Sequence, residues 1–185
     1  MLLALLANGG CAERDLWPAE RLDPKTAVNV TIMAEPWVFA HDVPMLAANS
    51  RDYLNVGVIE TNRSGTRAYW LGVIAWSTID RSQLPAGAAA GPAAKVRLAW
   101  PAASVDLVAS DDGRHATGLT DPVFMDPQGK YAETWFALTE AQVVQLGASA
   151  PEAVITIDDT GQSISYDPWH VDAAAMSRFL EATGL

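Results

Sequence analysis

Beyond residue 28 apolar and polar residues alternate with a period of two over much of the chain. That period predicts strands with one face buried. Over 28–33, Val28, Val30 and Ile32 share one face, and Asn29 and Thr31 take the other. Glu35-Pro36 closes this strand, because the residue before a proline avoids the helical region and proline lacks an N–H donor. Trp37-Val38-Phe39 adds a short strand, and 41–49 reads as a loop around Pro44. Over 52–60, Leu54, Val56 and Val58 oppose Tyr53 and Ile59. A turn at Asn62-Arg63-Ser64-Gly65 leads into a second strand over 67–79, and the two form an antiparallel hairpin. That second strand is apolar on both sides, with Trp70, Ile74 and Trp76 against Tyr69, Leu71, Val73 and Ile79, so it belongs at the centre of a covered sheet. At about 3.4 Å per residue it would reach roughly 40 Å, and a bend or bulge is expected near Gly72.

The small residues of 85–94 read as a surface loop, with strands on both sides of it. Further strands are expected over 95–100 and 105–110, joined at Pro101, and over 131–138. On the last, Tyr131, Glu133, Trp135 and Ala137 face opposite to Ala132, Thr134, Phe136 and Leu138. Thr139 opens a short helix that stops near Gly147. Gln142 closes a capping box, and Leu138 and Val143 form a hydrophobic staple. A second hairpin, over 153–157 and 162–166, turns at Asp158-Asp159-Thr160-Gly161. Asp167-Pro168 is expected to open the last helix, whose stripe is Val171, Ala175, Met176, Phe179 and Leu180 and which ends at Gly184. The fold class is mainly β: a β-sandwich or bent antiparallel sheet with a short internal helix and a C-terminal helix, and a half-open barrel as the alternative. Residues 28–185 form a single globular domain.

Composition sharpens this picture. Of 185 residues, 50% are hydrophobic and 18% charged, with seven Trp, which suits a packed core and argues against disorder. The formal net charge is -10, spread along the chain as a solubilising surface. Nucleic acid is not an expected partner, since phosphate binding needs a Lys/Arg patch. Arg51, Arg63, Arg67 and Arg81 read as turn and strand-end solubility.

At the N-terminus, MLLALLANGG precedes Cys11, the only cysteine. Leu5, Leu6 and Ala7 end a short apolar run, and Asn8, Gly9 and Gly10 stand before the cysteine. The run is too short to span a bilayer, which takes about 20 residues. Residues 1–11 resemble a bacterial lipoprotein signal peptide. The resemblance implies that Cys11 is lipidated and becomes the mature N-terminus, with the membrane as partner through a lipid anchor. It also implies the bacterial periplasm as location, and Ala12 after Cys11 implies sorting to the outer membrane. Charged residues with Pro18 and Pro24 make 12–27 a tether.

Chemistry is sparse. His41, His115 and His170 do not pair at short spacing, no HxxxH or CxxC is present, and no metal or cofactor is expected. Asp158-Asp159-Thr160-Gly161 lacks the alternating oxygen ligands of a calcium loop. No GxSxG elbow and no glycine-rich phosphate loop occur. The catalytic candidates are Glu133, His115, His170 and Asp112; burial of the Glu133 face would raise its pKa, as a general acid requires. Trp37, Trp100 and Trp169 stand near strand ends or loops and are the candidates for ligand binding. The expected function is an envelope-tethered binding or structural module whose partner is an envelope protein or glycan. The alternative is a small envelope hydrolase using Asp, His and Glu groups. An exposed aromatic groove favours the first, and a cleft joining a carboxylate-held His with two acids favours the second.

Expressed from its gene with the native upstream region, the wild-type protein should incorporate acyl label and sediment with membranes, and Cys11→Ser should do neither. An unlabelled, soluble wild type would remove the anchor.

Overall fold

The computed structural model describes residues 17–79, 94–101, 103–124, 132–149, 152–159 and 162–185. The elements run β1 (Ala19–Leu22), β2 (Asn29–Ile32), β3 (Trp37–Asp42), β4 (Arg51–Arg63), β5 (Thr66–Ser77), β6 (Lys95–Trp100), β7 (Ala103–Val108), a short 3-10 helix (Gly113–Thr117), β8 (Ala132–Leu138), α1 (Glu140–Ser149), β9 (Val154–Asp159), β10 (Gln162–His170) and α2 (Ala173–Thr183). The leader with Cys11, Arg81, Tyr131 and the hairpin tip Thr160-Gly161 lie outside the described residues.

The alternation over 52–79 builds the centre. β4 and β5 pair without a slip from Asp52↔Ser77 to Arg63↔Thr66. Their loop is Ser64-Gly65, with φ of 51° and 90°; two consecutive positive φ values match the right-handed twist of the flanking strands. Asn62 Oδ1 accepts the Gly65 amide at 2.9 Å and fixes the turn.

From this hairpin one antiparallel sheet extends both ways. β8 pairs with β5, and β3 pairs with β4. The C-terminal half of β10 pairs with β3 and its N-terminal half with β9, which leads on to β6 and β7. Just past β7, the Ser110 amide donates to the Trp135 carbonyl of β8 at 2.8 Å, so the two ends of the sheet approach each other. The sheet is thus curled into a half barrel, the bent-sheet form of the expected mainly β class.

The break in the ladder falls on a different strand from the one where a bulge is expected. β5 passes Gly72 in unbroken register. Instead β2 and β3 lie in series along β4, paired at Ile32↔Ile59 and again at Trp37↔Val56. Residues 33–36, including Glu35-Pro36, span the place where β4 has only Gly57 and Val58. Proline cannot donate to the ladder, so the interruption falls there.

The period of two sorts the side chains onto two cores. Leu54, Val56, Val58, Leu71, Val73 and Phe136 join Trp37 and Phe39 with Val96, Leu98, Ile155 and Ile157, side chains from both wings of the sheet. The helices complete this inner core with Val143, Leu146, Ala175, Met176 and Phe179. On the outer face, Val30, Ile59, Ile74 and Trp135 are covered by Leu119 and Phe124 from the segment after the 3-10 helix. Gly57 and Gly72 pair directly across β4 and β5. A Cβ on Gly57 would stand 2.2 Å from the Phe124 ring, and one on Gly72 would stand 2.8 Å from the Trp135 ring. The two glycines form a slot for these stacked rings, whose centroids are 6.0 Å apart.

The capping box holds as expected: the Thr139 hydroxyl accepts the Gln142 amide at 3.3 Å, and Gln142 Oε1 accepts the Thr139 amide at 2.8 Å. α1 nevertheless runs through Gly147 to Ser149. That glycine serves close helix packing, since a Cβ there would meet Leu180 at 2.6 Å. The last helix starts later than expected. Asp167-Pro168 belongs to β10, where a register shift between Pro168 and His170 accommodates the proline. Asp172 is the cap of α2, accepting the Ala174 amide at 2.8 Å. Gly184, at φ 71°, ends the helix.

Part of the stretch read as a tether, 12–27, is built into the domain. β1 pairs with β2 from Ala19↔Ile32 to Leu22↔Asn29. Asp23, only 2% exposed, accepts the amides of Lys25, Thr26 and Thr120 and the Thr120 hydroxyl at 2.6 to 3.2 Å. These donors hold its carboxyl well below the usual range, the Thr120 amide most of all.

Gly57→Ala should lower stability by about 1–3 kcal/mol, because the added methyl has no room under Phe124. In a double-mutant cycle read by urea unfolding, Phe124→Ala should absorb part of that loss. Strict additivity would show that the slot is not where the strain arises.

Candidate functional site

Two surface clefts gather the candidate side chains. The first, of about 470 Å³, is lined by Arg114, His115, Leu119, Thr120 and Glu133. Glu133 is on the outer face of β8, as its alternation with Trp135 requires. The Glu133 side chain is 9% exposed, and Arg114 Nε lies 3.3 Å from its Oε2. Burial pushes the Glu133 carboxyl up from its ordinary range, and Arg114 pulls it partly back. His115 is exposed on the 3-10 helix, and among the described residues no carboxylate holds its ring. Asp112 sits before that helix without a side-chain cap bond, and its carbonyl accepts the His115 amide at 3.1 Å. Glu133 and His115 therefore share a cleft, and among the described residues no second acid and no carboxylate-held ring joins them there.

The second cleft, of about 360 Å³, lies where three strands meet and is lined by Ala40, His41 and Asp42 of β3, Arg51 of β4, and Asp167, Pro168 and Trp169 of β10. Trp169 is 56% exposed. The Arg51 guanidinium lies 4.5 Å from the Trp169 ring centroid, within cation–π range. Arg51 Nε also donates to Asp42 Oδ1 at 2.6 Å, and this bond raises the guanidinium pKa further. Tyr53 meets the indole of Trp169 edge-on at 6.0 Å and stacks on Trp76 at 4.4 Å. Trp76 in turn donates from Nε1 to Asn55 Oδ1 at 3.0 Å. The exposed indole is thus held by a row of side chains on the outer face of β4 and β5. His41 Nδ1 lies 3.0 Å from the Ser165 carbonyl, an acceptor, so that nitrogen carries the proton. His170 stands outside this lining and pairs Nε2 with Glu35 Oε1 at 3.2 Å.

Of the other tryptophan candidates, one is a core residue and one is partly buried. Trp37 is 1% exposed and its Nε1 donates to the Asp172 carbonyl at 3.1 Å, tying β3 to the start of α2. Trp100 is partly buried against the inner core. Arg51, read from sequence as strand-end solubility, and Arg114 each complete a cleft. For Arg51 a signal existed, since it stands two residues before Tyr53 and shares its face. Arg114 had none, because its partner is distant in sequence.

Among the described residues no three His, Cys, Asp or Glu side chains cluster as metal ligands, and no helix is long and apolar enough to cross a membrane. Comparison with protein-family models, with proteins of known function and with solved structures finds no match.

Because the folded state holds the Glu133 proton more tightly than the unfolded state, that group contributes stability at low pH, and the contribution is lost as pH rises through its raised pKa. The stability of wild type relative to Glu133→Gln, a neutral isostere of the protonated side chain, should therefore fall as pH rises from about pH 4, and more steeply in an Arg114→Ala background. Urea midpoints across pH check this, and a relative stability of wild type that is flat or rises with pH would contradict it.

Proposed function

We propose that this chain is a binding module of the bacterial envelope, lipid-anchored in the periplasm through Cys11, that takes its ligand at the cleft of Trp169. The observation that carries the reading is Trp169 itself. A large indole is left more than half exposed, yet it is held in one orientation by Arg51 and Tyr53. Water contact with a flat apolar surface is unfavourable, and a fixed ring loses little further freedom when a ligand covers it. Aromatic anchors of this kind commonly dominate recognition energy. The leader supports the address, and the acidic surface fits a module that does not bind nucleic acid.

A small hydrolase is the second reading, favoured by one observation: the largely buried Glu133 side chain with a raised pKa in a cleft shared with His115.

One experiment separates the two. Full-length Cys11→Ser protein is mixed with isolated insoluble cell-envelope material and sedimented. We expect retention that Trp169→Ala lowers at least about fivefold and Trp17→Ala, at another exposed indole, leaves unchanged. Retention indifferent to Trp169 would overturn the binding site. Release of soluble fragments that is lost in Glu133→Gln would establish the hydrolase instead.

A further inference from the structure

We infer that the ligand of the Trp169 cleft is an uncharged saccharide; this rests on the binding-module reading and names its ligand class. Four observations converge on it.

The backbone of the cleft floor is already spent. Ala40 pairs with Tyr53 on one side and with Asp167 on the other. A peptide adding as a strand needs a free sheet edge, and this part of β3 offers none, so recognition falls to side chains.

The charge pattern disfavours ions. Asp42 and Asp167 both line the cleft and repel an anion. A cation meets like charge there, since the Arg51 guanidinium lies over Trp169 and is bonded to Asp42.

The remaining features suit a sugar ring. More than half of the Trp169 side chain stays exposed beside Arg51, and the C–H groups on one side of a pyranose are apolar with slight positive charge, so they complement its electron-rich ring. Hydroxyl groups donate and accept together, and the Asp167 carboxylate and the guanidinium of Arg51 line the same cleft as acceptor and donor.

Size agrees as well. A volume of about 360 Å³ is at the small end of ligand pockets and takes one or two sugar rings, leaving the rest of a polymer in solvent.

The test follows the indole N–H signals of the seven Trp in ¹⁵N-labelled full-length Cys11→Ser protein. The Trp169 signal is identified by its absence in Trp169→Phe. Cellohexaose, chitohexaose and maltohexaose are each titrated to about 10 mM, beside hexalysine and hexaglutamate. At least one of the sugars should shift the Trp169 signal saturably, with Asp167→Ala weakening the apparent affinity about tenfold and leaving the thermal midpoint unchanged. If only a charged peptide moves the signal, or if all three sugars leave it in place, the saccharide assignment is overturned. The binding reading then stands or falls separately on the Trp169-dependent sedimentation described above.

Discussion

The hairpin of β4 and β5 is apolar on both faces, and neither face can be left in water. Burying a large aliphatic or aromatic side chain is worth about 1.5–3 kcal/mol, so two exposed faces would forgo most of the energy that holds such a hairpin together. The rest of the molecule answers this constraint. The sheet curls until side chains from β6 and β9 reach the inner face, and α1 and α2 fill what the curl leaves open. The outer face is covered by chain without long regular structure, carrying Leu119 and Phe124, which Asp23 fastens through Thr120. Where that cover ends, toward the start of β4, the outer face continues as Tyr53, Trp76 and Trp169. The candidate cleft is therefore, among the described residues, the open end of the same surface.

Much of the fold is legible in the sequence because alternation and capping are local. The two faces of 67–79, the Asn62–Gly65 turn and the Thr139–Gln142 box all depend on residues within a few positions of each other. The misreadings share one cause. Gly72, Gly147 and Pro168 each suggest a local role, as a bulge, a helix stop and a helix start. Their roles are set by Trp135, Leu180 and the register with β3, which are distant along the chain. Asp172, not Asp167, caps α2, because β10 keeps its pairing with β3 up to His170.

The same division governs the site. Glu133 lies on a buried face, as its alternation with Trp135 implied, but Arg114 beside it was not legible. Trp169 could be singled out as an aromatic near a strand end. That Trp37 is instead a core residue depends on β10 and α2 closing over it. The cleft joins β3, β4 and β10, and no spacing rule places residues 42, 51 and 169 together without the strand order.

The clasp at Asp23 has a mechanical consequence. A load applied through the N-terminus meets first the four-residue pairing of β1 with β2, where Ala19 is the leading position. Strand β1 lies at the margin of the sheet, so it can peel away without opening either core. The load then arrives at one carboxylate gripped by four donors and sunk beneath the surface, and further yielding would strip the lid from the outer core. The domain thus has a short extensible lead followed by a firm stop, an arrangement suited to a body held at one end while its far surface is engaged.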